Sequence, residues 1–168
     1  MEFFECIESR RSCRSYLPDP VEPEKLARIL EAARLAPTAA NRQPFRILGI
    51  PTAGHESELR KAYDREWLVA APLALLVCHV PAEGWVRKDG ANYSDVDAAI
   101  VMEHIVLAAN ALGLGSCWIA NFDAAALRLS FGLEEGWEPL ALTPLGYPKE
   151  ISQPRPRKDI QALYRALE

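Results

Sequence analysis

No run of apolar residues in this chain approaches the roughly 20 that a bilayer-spanning helix needs, so no transmembrane segment is expected. No C-x-x-C pair and no H-E-x-x-H pattern occurs. The only histidines, His55, His79 and His104, are scattered, and no zinc site is expected. Positive charge is in deficit: 19 Lys and Arg against 23 Asp and Glu leave a net charge of −4, whereas a nucleic-acid-binding protein usually carries a broad basic surface. Repeats, low-complexity tracts and linkers are missing too, so one domain over residues 1–168 is expected. The stretch Gly113-Leu114-Gly115-Ser116 is not a dinucleotide fingerprint, which needs a strand before it and a helix after it; here the order is reversed. The opening residues MEFFECIESRR are acidic and amphipathic, unlike the basic-then-apolar pattern of a secretory signal. Cysteine is sparse and unpaired in sequence. Cys78 and Cys117 lie inside apolar runs, and with Cys6 and Cys13 they read as buried reduced thiols, which implies a cytoplasmic protein.

What is present reads as a globular chain, 49% hydrophobic and 25% charged, with alternating helices and strands. Residues 2–9 read as a helix with Phe3, Phe4 and Ile7 on one face. Pro23 suits the first turn of a second helix, in which Leu26, Ile29, Leu30 and Ala33 follow helical spacing up to Pro37. Residues 45–50 read as a strand, 55–67 as a polar helix, and 72–80 as a central strand covered on both faces. Residues 81–94 form a loop. Ser94 and Asp97 then make a capping-box pattern before a helix over 95–112 that stops at Gly113. That helix is apolar on most of its circumference, so a central or partly intersubunit position is expected. Residues 116–122 read as a strand, Asp123 caps a short helix ending near Gly132, and 139–147 form a further strand.

Three segments carry polar chemistry. The turn Arg10, Arg11, Ser12 and Arg14 gathers three guanidiniums and a hydroxyl, a set that matches phosphate oxygens. A solvated basic turn paired with surface carboxylates would have the same composition. Near the end, Arg155 and Arg157 are held on a stiff backbone by neighbouring prolines, as a placed ligand contact requires. The connection APTAANRQPF offers Thr38, Asn41 and Gln43 beside Pro37, with little bulk, and suits a flat polar ligand. An ordinary helix-to-strand connection reads the same way.

Taken in order, ESRRSCRSYLPDPV, KLARILEAARLAPTAANRQPFRILGI, DAAIVMEHIVLAANALGLGSCWIANFD and LGYPKEISQPRPRK resemble the nitroreductase family of FMN-binding flavoproteins nearly end to end. The resemblance implies an α+β fold: a central mixed, mainly antiparallel sheet flanked by helices, with a C-terminal extension reaching the partner subunit. It implies a homodimer with FMN at the subunit interface. Arg10, Ser12 and Arg157 would hold the phosphate with Arg11 and Arg155 nearby, and Arg14 would approach the flavin N1/O2 edge, where a cation favours the reduced flavin. Pro37, Thr38, Asn41 and Gln43 would contact the ribityl chain and ring, and the backbone of Ile119, Ala120 and Asn121 would run along the ring towards N5. Larger members carry an acidic residue and a glycine where this chain has Ala120 and Asn121. They also insert pocket-covering helices where this chain has only residues 81–94, of which Trp85 or Tyr93 are the candidates for closing the flavin face.

The implied activity is hydride transfer from NADH or NADPH through FMN to a nitroaromatic, quinone or related small-molecule acceptor by a ping-pong cycle, with no amino-acid acid or base. Reductive dehalogenation, flavin breakdown, or a non-catalytic flavin-binding role are the alternatives on the same fold.

Overall fold

The computed structural model describes residues 1–167. Its sheet has four strands in the order β1-β2-β4-β3, where β1 is Phe45–Pro51, β2 Leu73–His79, β3 Gly115–Ser116 and β4 Glu138–Gly146. All three ladders are antiparallel, and the parallel component is a single bridge between Ser12 and Ser116. The α+β class and the mainly antiparallel sheet are therefore as expected.

The period-2 geometry of a strand splits β2 between two cores. Leu75 and Val77 point to one face, where they meet Ile29 and Ala33 of α2 (Pro23–Arg34) and Val101, Met102 and Ile105 of α5 (Ser94–Ala111). Ala74, Leu76 and Cys78 point to the other, against Leu59 of α3 (Glu56–Ala62), Leu68 of α4 (Glu66–Val69) and Leu127 of α6 (Ala124–Phe131). Each such fully buried aliphatic side chain is worth about 1.5–3 kcal/mol relative to exposure. α6 has its expected limits: Asp123 accepts the Ala126 N–H at 2.9 Å, and Gly132 leaves the helix with φ 57°. Helix α5 is central within one chain, lying between α2 and the sheet, and His104 Nδ1 donates to the Ala32 carbonyl at 3.0 Å across the α2 contact.

Several local expectations are corrected. The helix expected over 55–67 is two, because Tyr63 is extended (φ −153°, ψ 95°) and turns its ring onto Trp67. The strand expected over 116–122 reduces to Gly115–Ser116 and an isolated bridge between Ile119 and Leu142. The Thr143 hydroxyl takes the Cys117 N–H at 3.1 Å and interrupts the backbone ladder. Ser94 and Asp97 do not form a capping box. Helix α5 starts at Ser94, whose hydroxyl is hydrogen-bonded to His79 Nδ1 at 2.9 Å, and Asp97 serves a distant segment instead. In α1 (Phe3–Ser9) it is Cys6 that is buried, while Phe3, Phe4 and Ile7 remain exposed.

Candidate functional site

The arginine turn takes its shape from the backbone pairing just beyond α1. The chain leaves the helix at Arg10 in an extended conformation (φ −56°, ψ 127°) and is zipped against two other segments. Cys13 N–H donates to the Ser116 carbonyl at 2.8 Å on one side. On the other, Leu17 N–H donates to the Tyr147 carbonyl at 2.9 Å, Lys149 N–H to the Ser15 carbonyl at 2.9 Å, and Ser152 Oγ to the Ser12 carbonyl at 2.9 Å. Beneath the turn, Tyr16 is buried and its hydroxyl donates to the Cys13 carbonyl at 2.8 Å; burial pushes this phenol well above its ordinary pKa. Gly115 admits the close approach, since a Cβ there would fall 2.8 Å from both Cβ and Sγ of Cys13.

This zipper brings the start of the tail across from the turn. Between them lies a cleft of about 1050 Å³, with Arg10, Arg11, Ser12 and Arg14 on one wall and Arg155 and Arg157 on the other. Among the described residues, Glu8 is the one acidic residue in its lining. Among the described residues, none of the ion pairs involves any of these five arginines, although the chain has 23 carboxylate residues to offer. Arg11 donates instead to the backbone carbonyls of Glu8 and Arg10, and the Arg14 guanidinium lies over the Trp67 ring, 5.7 Å from its centroid. Like charges gathered in one cleft create a positive local potential that favours an anion. Cys117 lies close enough to feel the charges of Arg14 and Arg10, yet burial dominates and pushes its thiol up.

The loop holding Pro37, Thr38, Asn41 and Gln43 is elsewhere and does not line this cleft. Three of its non-glycine residues are left-handed: Ala40 (φ 52°), Asn41 (φ 53°) and Gln43 (φ 54°). Such residues cost roughly 1–3 kcal/mol each and persist only where their surroundings hold them. Thr38 Oγ1 accepts the Gln43 N–H at 3.1 Å, Gln43 Nε2 donates to the Asn41 carbonyl at 3.2 Å, and Asp97 Oδ1 accepts the Ala39 N–H at 2.8 Å. The Asn41 and Gln43 side chains are exposed. Ile119 is buried by its bridge to Leu142, and Ala120 and Asn121 emerge beyond it as exposed residues, also outside the arginine cleft.

Between β2 and α5, a 3-10 turn over Pro81–Glu83 is followed by a small hairpin bridged at Val86 and Asn92, in which Trp85 and Tyr93 pack edge to face with centroids 5.3 Å apart. It leads directly into α5, at the helix end that Asp97 ties to the 37–43 loop.

The model of the nitroreductase family matches residues 7–82 and 53–147 of the chain. The chain belongs to the nitroreductase family. Within it, the crystal structure of a nitroreductase family protein from Clostridium difficile 630 superposes with a TM-score of 0.90 at 36% identity, covering 98% of both chains. A Thermus thermophilus protein named NADH dehydrogenase is 29% identical over 90% of this chain and 89% of its own. A Bacillus subtilis protein named FMN reductase [NAD(P)H] is 26% identical over 96% of this chain and 72% of its own.

The nitroreductase fold also shows what sequence reasoning missed. Trp67 under Arg14, Ser152 clamping the turn, and Asp97 clamping the loop had no local signal, because each acts on a segment at least 50 residues away. Only the apparent capping box drew attention to Asp97, and for another reason.

Proposed function

We propose that this protein is an FMN-dependent oxidoreductase using NADH or NADPH as electron donor. The observation that carries the reading is the cleft of five arginines, two from the tail and three from the turn, without carboxylate partners among the described residues. The fit is chemical: guanidiniums and the Ser12 hydroxyl are the donor set for a phosphate monoester, and the cleft offers one carboxylate residue to oppose it. The name of the Bacillus subtilis relative supports both FMN and the nicotinamide donor.

In this reading Arg10, Ser12 and Arg157 hold the phosphate, with Arg11 and Arg155 reinforcing the local potential. Arg14, steadied by Trp67, places a fixed cation at the polar edge of the flavin ring. Bound FMN would supply two-electron redox chemistry between NAD(P)H and a nitroaromatic, quinone or related acceptor that would use the same site in turn. The backbone of Ile119, Ala120 and Asn121 would contact its ring. The protein orients the reactants and supplies charge; no side chain is assigned as a proton donor.

A homodimer completes the site. Asp97 ties the 37–43 loop to one end of α5, and Asn110 ties α1 and the arginine turn to the other. At 1.5 Å per residue these ties are about 20 Å apart. That separation supports a site in which Pro37, Thr38, Asn41 and Gln43 contact the FMN held by the arginines of a second copy. The exposed Phe3, Phe4 and Ile7 on α1, with Ile160, Leu163 and Tyr164 on the tail, supply apolar surface for such a pairing. The four cysteines are free and buried, which supports a cytoplasmic setting. Among the described residues no helix is long and apolar enough to cross a membrane.

The test is the visible spectrum of purified protein with added FMN, recorded before and after anaerobic NADH and then NADPH. Bound-flavin bands that bleach with either donor support the reading and choose the donor. Absence of flavin binding overturns it.

A further inference from the structure

Asp97 is only 2% exposed, and its two carboxylate oxygens are unequally served. Oδ1 accepts the Ala39 N–H at 2.8 Å, while Oδ2 is buried without a hydrogen-bond partner. Burying a carboxylate oxygen in this state costs stability. The feature needs a compensating use, and the structure offers one. Directly after Ala39, the chain runs through the left-handed residues Ala40, Asn41 and, two further on, Gln43. Asparagine adopts this region readily, but Ala40 and Gln43 do not, so their conformation must be held by the surroundings. The hydrogen bonds among Thr38, Asn41 and Gln43 lie within the loop and travel with it. The Asp97 contact reaches the loop from the buried first turn of α5, 58 positions along the chain.

We propose that Asp97 is a positioning residue for flavin binding, which fixes the 37–43 loop in the strained shape that presents Asn41 and Gln43 to the cofactor. This rests on the reading that the loop contacts FMN. Asp97 does not touch the flavin; it acts through the Ala39 amide. The buried, charged acceptor makes that one hydrogen bond stronger than a neutral one, which a loop under backbone strain requires.

The experiment combines two readouts. Hydrogen exchange on the flavin-free protein reads protection over residues 39–43, and fluorescence titration reads the FMN Kd. Asp97→Ala is expected to lose the protection and to raise Kd about tenfold or more, the range for losing a hydrogen bond to a charged group. Asp97→Leu fills the volume and removes the acceptor, and it replaces the alanine variant should that one fail to fold. Asp97→Asn keeps a carbonyl oxygen for Ala39 without the charge and is expected to raise Kd clearly less than Asp97→Ala does. Adding Ala40→Gly to Asp97→Ala lets the backbone turn left-handed without strain, and recovery of FMN affinity is expected. A role in general stability alone would lower the melting temperature and leave the FMN Kd of the folded protein unchanged. Unchanged protection in Asp97→Ala, or a loss of affinity that neither Asp97→Asn nor Ala40→Gly lessens, overturns the proposal. If the wild-type protein binds no FMN, the functional reading falls, and exchange at residues 39–43 alone decides whether Asp97 holds the loop.

Discussion

Asn110, near the end of α5, donates its side-chain amide to the Cys6 carbonyl at 2.9 Å and also reaches Ser9 Oγ at 2.9 Å. The last turn of α1 is thereby fixed to the central helix just before the chain enters the arginine turn. The Cys6 carbonyl also accepts the Arg10 N–H at 3.1 Å, so one carbonyl is shared between the helix core and the first arginine of the cleft.

Replacing Asn110 by Ala removes that tie and leaves Arg10 on a looser segment. The expected result is a loss of about 1 kcal/mol in stability, as for a typical hydrogen bond, and a several-fold rise in FMN Kd. Denaturant unfolding and flavin titration measure the two effects. Unchanged FMN affinity would show that α1 does not position the turn.

The tail arginines contribute to the same cleft from the opposite wall. Arg157→Ala is expected to weaken FMN about ten- to hundredfold, since hydrogen bonds to charged groups are worth about 1.5–3 kcal/mol. Arg155→Ala is expected to do less and to act mainly through the local potential. Wild-type affinity should fall with added salt, and the double variant should show a flatter salt dependence. Riboflavin, which lacks the phosphate, should bind all variants equally.

Gly115 is required for close approach, not for an unusual backbone angle. A Cβ there would fall 2.8 Å from Cys13 Cβ and Sγ, with the buried Tyr16 behind them. Gly115→Ala is expected to destabilise the fold by about 1–3 kcal/mol, the range for overpacking a filled interior. It should also push the arginine turn away from β3 and weaken FMN. A thermal melt and a flavin titration test this, and an unperturbed variant would mean that the turn gives way at no cost.

His79 ends β2 and is hydrogen-bonded to Ser94 at the start of α5. Burial holds its pKa below the ordinary 6.5, opposed by the weaker pull of Asp95 and Glu138. The unfolded chain therefore binds a proton that the folded chain refuses. The stability contribution is complete above pH 6.5, is lost as pH falls below that value, and levels off below the folded pKa. Wild-type protein should lose more stability between about pH 7.5 and 5.5 than His79→Gln does. Equal losses in urea unfolding at the two pH values would exclude His79 as the titrating group.

Much of this protein was decided by the order of residues along the chain. The apolar run Leu73–His79 could only be a strand covered on both faces, and it is the centre of the sheet. Pro23 and Gly132 marked the start of α2 and the end of α6 because their backbone preferences act within one turn. The arginines at 10, 11, 14, 155 and 157 were visible as chemistry. Tertiary structure decided what those residues do together. The turn and the tail face one cleft only because the segments around Ser12–Leu17 and Tyr147–Ser152 bond to each other, although they lie at opposite ends of the chain. Asp97 matched a local capping pattern, yet its carboxylate went to Ala39, and Ser94 went to His79. Local propensity offers a side chain several partners of similar energy. The packing of α2, α5 and β2 against one another determines which partner is within reach.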